Sequence, residues 1–506
     1  MKVRIAVALA LTGLAPTLSA QAPEPVRVGS DAAASITASD VARRVGILAD
    51  DSMMGRDTPS RGLEMTAKYV ADEFRRFGLR PGGDNGTWFQ RYPITRRRLQ
   101  PAQSHVVLKA GATTVTARLD ATARHVSGDI PRQPVSGPVI LVGGPVTPDA
   151  VGAMQLRDKV VLYVHDYSRE IPQNATQVAR ALRVSGARSI IAISNLDSAA
   201  FAARLPRSGL ERYGMELRTG SPPSLEVSES AVLPVLRAAG VTLADVRRSA
   251  RPVSRDLPGV TASVELKETV TDSLDAPNTV GVLEGTDPVL RKEYLVFSAH
   301  MDHVGITRGL PDSINNGADD NASGTTGVIE LAEAFSRPGA RPKRSIIFLT
   351  VSGEEKGLWG SRWFSEHPAV PLPQLVADIN IDMIGRNWAD TIVAIGKEHS
   401  NLGATLERVN AAHPELRMVA IDDRWPEERF YFRSDHYNFA RKGVPAIFFF
   451  NGVHDDYHRV TDSPEKINSE KESRILRLLY YFGREVGDAP ERPRWNEESR
   501  RLIVEE

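Results

Sequence analysis

The chain of 506 residues contains no cysteine. That excludes disulfides, thiol catalysis, thiolate zinc sites and lipid attachment through a cysteine, so any metal must be held by His, Asp and Glu. Net charge is also missing, because 63 Lys and Arg balance 63 Asp and Glu. Without a basic excess there is no electrostatic case for nucleic acid or an anionic membrane as a partner. The triplet Arg96-Arg97-Arg98 reads as solvated surface. Beyond the opening residues no apolar run approaches the ~20 residues of a spanning helix, so no membrane span is expected.

What is present is an ordinary globular composition, 41% hydrophobic and 25% charged, in a chain long enough for two or three domains. The opening stretch "MKVRIAVALALTGLAPTLSAQA" has a basic start, a short apolar run and small residues, the pattern of a secretory signal peptide over 1–22. A soluble protein exported to the periplasm or the extracellular space is therefore expected. Residues 23–37 are rich in Ala, Pro and Ser and read as a linker. From Leu63 the spacing of Leu63, Ala67, Val70, Ala71, Phe74 and Phe77 predicts a helix that stops at Gly78. Short β runs at 138–144, 159–166 and 189–194, with a helical run at 175–187, mark a separate unit over 130–265. No cluster of His, Asp or Glu occurs there. The stretches 38–129 and 266–487 read as two parts of one α/β domain, and 488–506 as a charged tail.

In the second of those parts, His, Asp and Glu recur where apolar strands end. "EYLVFSAH" stops at His300, and "SIIFLTVSGEE" at Glu354 and Glu355. "VADINIDM" carries Asp382 near its end, and "PAIFFF" is soon followed by "HDDYH" with His458. In open α/β sheets that edge is where sites are built. Together with Asp320 of "INNGADDNASG" this gives two imidazoles and three carboxylates, a mixture that suits zinc and related ions. Five ligands are too many for one tetrahedral ion with an open position. They fit two ions ~3.5–4 Å apart that share one carboxylate. Glu354, left over beside Glu355, could move a proton. The same loop also has nearly the spacing of a calcium loop, from Asp319 through Asn321, Ser323 and Gly324 to Glu330. The Pro and Gly in "TRGLPDSINNG" leave that loop without the helix that should precede it.

"SAHMDHVG", "NNGADDNASG", "SGEEKGLWGS", "NIDMIG" and "DYHRVTD" resemble, in order and spacing, the five metal-site motifs of the M28 family of co-catalytic zinc peptidases. Residues 55–81 resemble that family's opening, and 130–265 resembles the protease-associated (PA) domain often inserted in it. The resemblance implies a three-layer α/β/α zinc-exopeptidase domain with a mixed, largely parallel sheet and a small α+β insert. It implies two zinc ions, one held by His300 and Asp382, the other by Glu355 and His458, with Asp320 between them and a cis peptide after it. Asp319 would not be a ligand. Asp302 would fix the tautomer of His300, Glu354 would be the general base and acid, and Tyr457 would assist the oxyanion.

The implied activity is an exopeptidase acting on peptides, with aminopeptidase as the leading reading. Carboxypeptidase stays open, because Arg386, Arg424, Arg429 and Arg433 flank the motifs and could hold a C-terminal carboxylate. A non-enzymatic metal-binding or PA-type interaction protein is the reading from another class. His303 and His436 lie in or near motif segments with roles left open. His454, Asp455 and Asp456 read as loop residues near the rim.

Overall fold

Alternate side chains of the strand Tyr294–His300 enter two different cores. Leu295, Phe297 and Ala299 join one layer and Val296 the other. The strand Ser345–Val351 behaves alike, with Ile346 and Phe348 on one side and Ile347, Leu349 and Val351 on the other. Strands buried on both faces need helices above and below. The computed structural model describes residues 30–164, 175–205, 211–215, 220–309 and 311–505. In it, helices Gly324–Ser336 and Ser469–Asp488 cover the first face. Trp359–Glu366 and His436–Ala440 cover the second through Phe364 and Phe439. The expected three-layer arrangement is present.

Four parallel strands form the middle of a ten-stranded sheet: Ser345–Val351, Tyr294–His300, Leu375–Ile381 and Ala446–Phe450, in that order. Antiparallel strands on either side make the sheet mixed. Register sets His300 beside Val351 and Ile381 beside Phe449. The segments that leave these four strand ends therefore meet on one rim.

Helix Arg61–Arg76 forms where the spacing predicts it. Ser60 caps it by accepting from the Leu63 N–H at 3.1 Å, and Leu63, Ala67, Val70, Ala71 and Phe74 are buried. Gly78, at φ +79°, takes the left-handed turn that ends it.

A second sheet of eight strands is reached through two long antiparallel strands, Phe89–Leu99 and Glu268–Leu283, with Leu99 opposite Glu268. Its upper boundary falls at 265, where the strand Val253–Glu265 ends. Its lower boundary differs from the expected 130. Strands His105–Ala110, Thr113–Arg118 and Ala123–Ser127 already belong to it, because Val106, Leu108 and Ala110 point into its own core. Glu211–Gly214 runs back to pair with Thr95–Arg98 at the edge of the ten-stranded sheet.

Two further segments differ from expectation. Of the linker at 23–37, residues Ser30–Ala34 form a helix, and Ala32, Ala33 and Ile36 are buried in the main core. The tail at 488–506 contains the helix Glu497–Ile503. Ile503 is buried there, and the Trp495 indole donates to the Gly443 carbonyl at 2.9 Å. Small apolar side chains in the first case, and single anchors in the second, fill gaps beside existing helices without making a periodic pattern. Residues 1–22, expected to be a signal peptide, lie outside the described residues. No helix among the described residues is long and apolar enough to cross a membrane.

Candidate active site

The rim collects its donors from strand ends. His300 closes its strand, Asp382 directly follows Ile381, and Glu354 and Glu355 sit on the turn after Val351. His458, at φ +58°, belongs to the turn after Phe450. Asp320 lies in the loop that opens into the helix Gly324–Ser336, and the Asp320–Asn321 peptide is cis.

These residues form two clusters that share one carboxylate. His300 Nε2 is 3.3 Å from Asp382 Oδ1 and 3.4 Å from Asp320 Oδ1. His458 Nε2 is 3.1 Å from Asp320 Oδ2 and 3.1 Å from Glu355 Oε2. Asp320 thus presents one oxygen to each cluster. All five expected donors converge.

The donor set fits zinc. A tetrahedral ion with bonds of about 2.0–2.1 Å separates its donors by about 3.3–3.4 Å, close to the spacings found. The electrostatics point the same way. Burial and the Glu355 carboxylate push Asp320 up to about 6. Burial opposes charging His300, but Asp382 and Glu354 outweigh it and hold the imidazole well above its usual value. His458 is likewise pushed up to about 10, its burial overcome by Asp320 and Glu355. Acids so crowded and so dry need positive charge among them.

The supporting contacts fix orientation. His300 Nδ1 faces Asp302, 3.2 Å from its carbonyl oxygen and 3.7 Å from its carboxylate, which leaves Nε2 for the cluster. The Asp302 carboxylate accepts from Thr58 Oγ1 at 3.0 Å and from the Glu354 N–H at 3.3 Å. Ser434 Oγ donates to Asp382 Oδ2 at 2.9 Å. Asp319 points away from the donors. Its carboxylate accepts from the Gly385 N–H at 2.6 Å and lies 3.2 Å from His454 Nε2. Glu330 is buried on the following helix and paired with Arg44, so the calcium spacing does not form a loop site.

Glu354 and Tyr457 line one cavity with His300, Asp320 and Asp382. Burial raises the Glu354 carboxyl well above its usual range. The Tyr457 ring stacks on His458 at 3.9 Å between centroids. Met383, Phe430, Phe448, Phe450 and Val453 give the rest of this cavity a largely apolar lining, joined by Ser434 and Arg433. Of the four arginines named above, only Arg433 lines it. Arg386 is held by Asp456 at 3.0 Å, Arg424 lies over Trp388 and Arg429 over Phe432.

Three residues at the site were not assigned from the sequence. His303 is fully buried, with Nδ1 3.0 Å from Glu355 Oε1 and 3.7 Å from Asp320 Oδ2. It packs so tightly on Gly317 (φ +57°) that a Cβ there would sit 2.5 Å from the ring. Only its place in "SAHMDHVG" could have flagged it. Asp462 accepts from the N–H groups of Asp319 and Asp320 at 3.1 Å and so braces the loop. Arg56 donates to four carbonyls, of Leu48, Met301, Asn316 and Gly317, at 2.6–3.0 Å. His436 is core: it stacks on Phe448 at 4.7 Å, and burial lowers its pKa to about 3.

Two clusters of imidazoles and carboxylates at the strand ends of an α/β/α sheet define the hydrolytic metal-centre class of protein. The description "Peptidase family M28" matches residues 278–483. The domain that carries the site belongs to that family. Leupeptin-inactivating enzyme 1 of Streptomyces exfoliatus is 39% identical over 190 residues, 37% of this chain and 38% of that protein. Aminopeptidase YwaD of Bacillus subtilis (strain 168) is 25% identical over 210 residues, 38% of this chain and 41% of that protein. Each match thus spans well under half of the relative's own length. Among solved structures, the aminopeptidase from Aneurinibacillus sp. strain AM-1 superposes with a TM-score of 0.51 at 17% identity, over 91% of this chain and 96% of that one. This likeness shows the fold.

Proposed function

We propose that the protein is an exported di-zinc aminopeptidase, releasing N-terminal residues from peptides. The observation that carries the reading is the division of Asp320 between two donor clusters, His300 with Asp382 and Glu355 with His458. These five residues would hold the ions, with His303 backing Glu355. Zinc bound there supplies Lewis acidity for the scissile carbonyl and brings the pKa of water towards about 7. Glu354, raised by burial, takes a proton from the attacking water and returns it to the leaving amine. Tyr457, facing the same cavity, donates to the oxyanion. Asp302 holds the His300 tautomer.

The apolar cavity supports exopeptidase action on a residue with an apolar side chain. Phe448 and Phe450 of the strand Ala446–Phe450 form part of its wall. The eight-stranded insert is read as a PA-type module, and the basic and apolar opening stretch supports export. The test is a panel of dipeptides with a free amine, a blocked amine or a blocked carboxylate, assayed with zinc. Release from the free-amine and C-blocked members alone is expected. Release that requires the free carboxylate and tolerates a blocked amine identifies a carboxypeptidase. No release from any member of a metallated sample leaves the binding-protein reading.

A further inference from the structure

A cleft of about 620 Å³ is lined by residues of the insert, among them Asp129, Arg132 and Arg183, and by Lys356 and Gly357, which directly follow the two glutamates. Seven of its described lining side chains are Lys or Arg and two are Asp or Glu. Arg97 and Arg212 both reach Glu268 at 2.9 Å, Lys356 reaches Asp57 at 2.7 Å, Lys267 reaches Glu265 at 2.9 Å and Arg362 reaches Glu366 at 3.2 Å. Arg132 and Arg183 line it as well.

The excess continues past the cleft. Arg183 lies one turn from Arg180 on the helix Ala175–Val184 of the insert. Within the cleft, Arg132 and Arg183 of the insert share the lining with Lys356 and Arg362 of the catalytic domain. Two separate parts of the chain thus bring like charges face to face in a protein whose net charge is zero. Such an arrangement attracts an anion into the cleft.

Position says which part of a substrate that anion belongs to. Glu354 lines the apolar cavity, whereas Lys356 and Gly357, two and three residues on, line the cleft. A peptide with its first side chain in the apolar cavity and its scissile bond at the metal donors runs past this turn into the cleft. We propose that the cleft is a subsite for carboxylates on the leaving part of the substrate, supplied by the C-terminus of a short peptide or by acidic side chains beyond the cleaved bond. This rests on the aminopeptidase reading.

The full-length zinc-loaded protein is assayed on two matched pairs: Leu-Ala against its C-terminal amide, and the amides Leu-Ala-Glu-Glu-NH2 against Leu-Ala-Gln-Gln-NH2. The carboxylate-bearing member of at least one pair is expected to have a KM lower by roughly tenfold, as charge-assisted pairing provides. The pair that responds identifies the source of the carboxylate. In R180E/R183E the preference is expected to vanish or reverse, through KM rather than kcat, and to shrink in wild type as salt is raised to about 0.5 M. R118E, on an exposed strand of the insert, is expected to keep the preference. Equal kcat/KM within both pairs, or a preference untouched by R180E/R183E, overturns the subsite while neutral amides are still cleaved. Failure to cleave the neutral amides as well overturns the peptidase reading itself.

Discussion

Glu354→Gln is expected to lower kcat on a free-amine dipeptide by about 10²–10⁴-fold, with metal content unchanged. Glutamine keeps the shape and one polar oxygen but cannot accept and return a proton. The residue is not one of the converging donors: the clusters are completed by Glu355, one position on, while Glu354 turns to the cavity with His300, Asp320, Asp382 and Tyr457. Its burial raises the carboxyl well above its usual range. Steady-state kinetics with elemental analysis of the same sample checks both halves. A kcat within a few-fold of wild type removes Glu354 from its role, and a loss of metal reassigns it as a ligand.

Arg56→Met is expected to destabilise the fold by more than about 4 kcal/mol, since each buried carbonyl left without a donor costs about 1–3 kcal/mol. Arg56 is 1% exposed and its guanidinium serves four of them. The Met301 carbonyl lies between His300 and Asp302, and the Asn316 and Gly317 carbonyls lead into the Asp320 loop. One side chain therefore ties the His300 strand end to the Asp320 loop. Its charge also faces the acid cluster: burial lowers its pKa to about 10 against the opposing pull of Asp320 and Asp462. Urea unfolding is the measurement, with Arg56→Lys as the comparison, because lysine restores the charge and part of the donor set. A change below about 1 kcal/mol in Arg56→Met contradicts this role.

The two residues differ in how far the sequence reveals them. Glu354 ends an uninterrupted apolar strand, and a catalytic acid at a strand end leaves a local mark. The five donors share that advantage, because each sits at a strand end or in a glycine-bracketed loop. Arg56 has no such mark. Its partners are backbone carbonyls of residues up to 261 positions away, and no side-chain pattern encodes a carbonyl. Asp462 and His303 escape for a related reason. They brace donors that already make a complete set, so nothing in the spacing calls for them. At the level of fold, strands buried on both faces stand out as continuous apolar runs. The insert's early strands, such as His105–Ala110, bury only every second residue and pass for irregular chain. Ile36 and Ile503 are single apolar anchors, and one residue has no period.

The central claim is a two-ion centre organised around Asp320, and zinc titration of the chelated full-length protein tests it most directly. Calorimetry should count two equivalents per chain for the wild type and a reduced number for Asp320→Asn. Release of leucine from Leu-Ala-amide should be absent before zinc and restored by the second equivalent. One equivalent that restores full activity, or two that bind and restore none, contradicts the account.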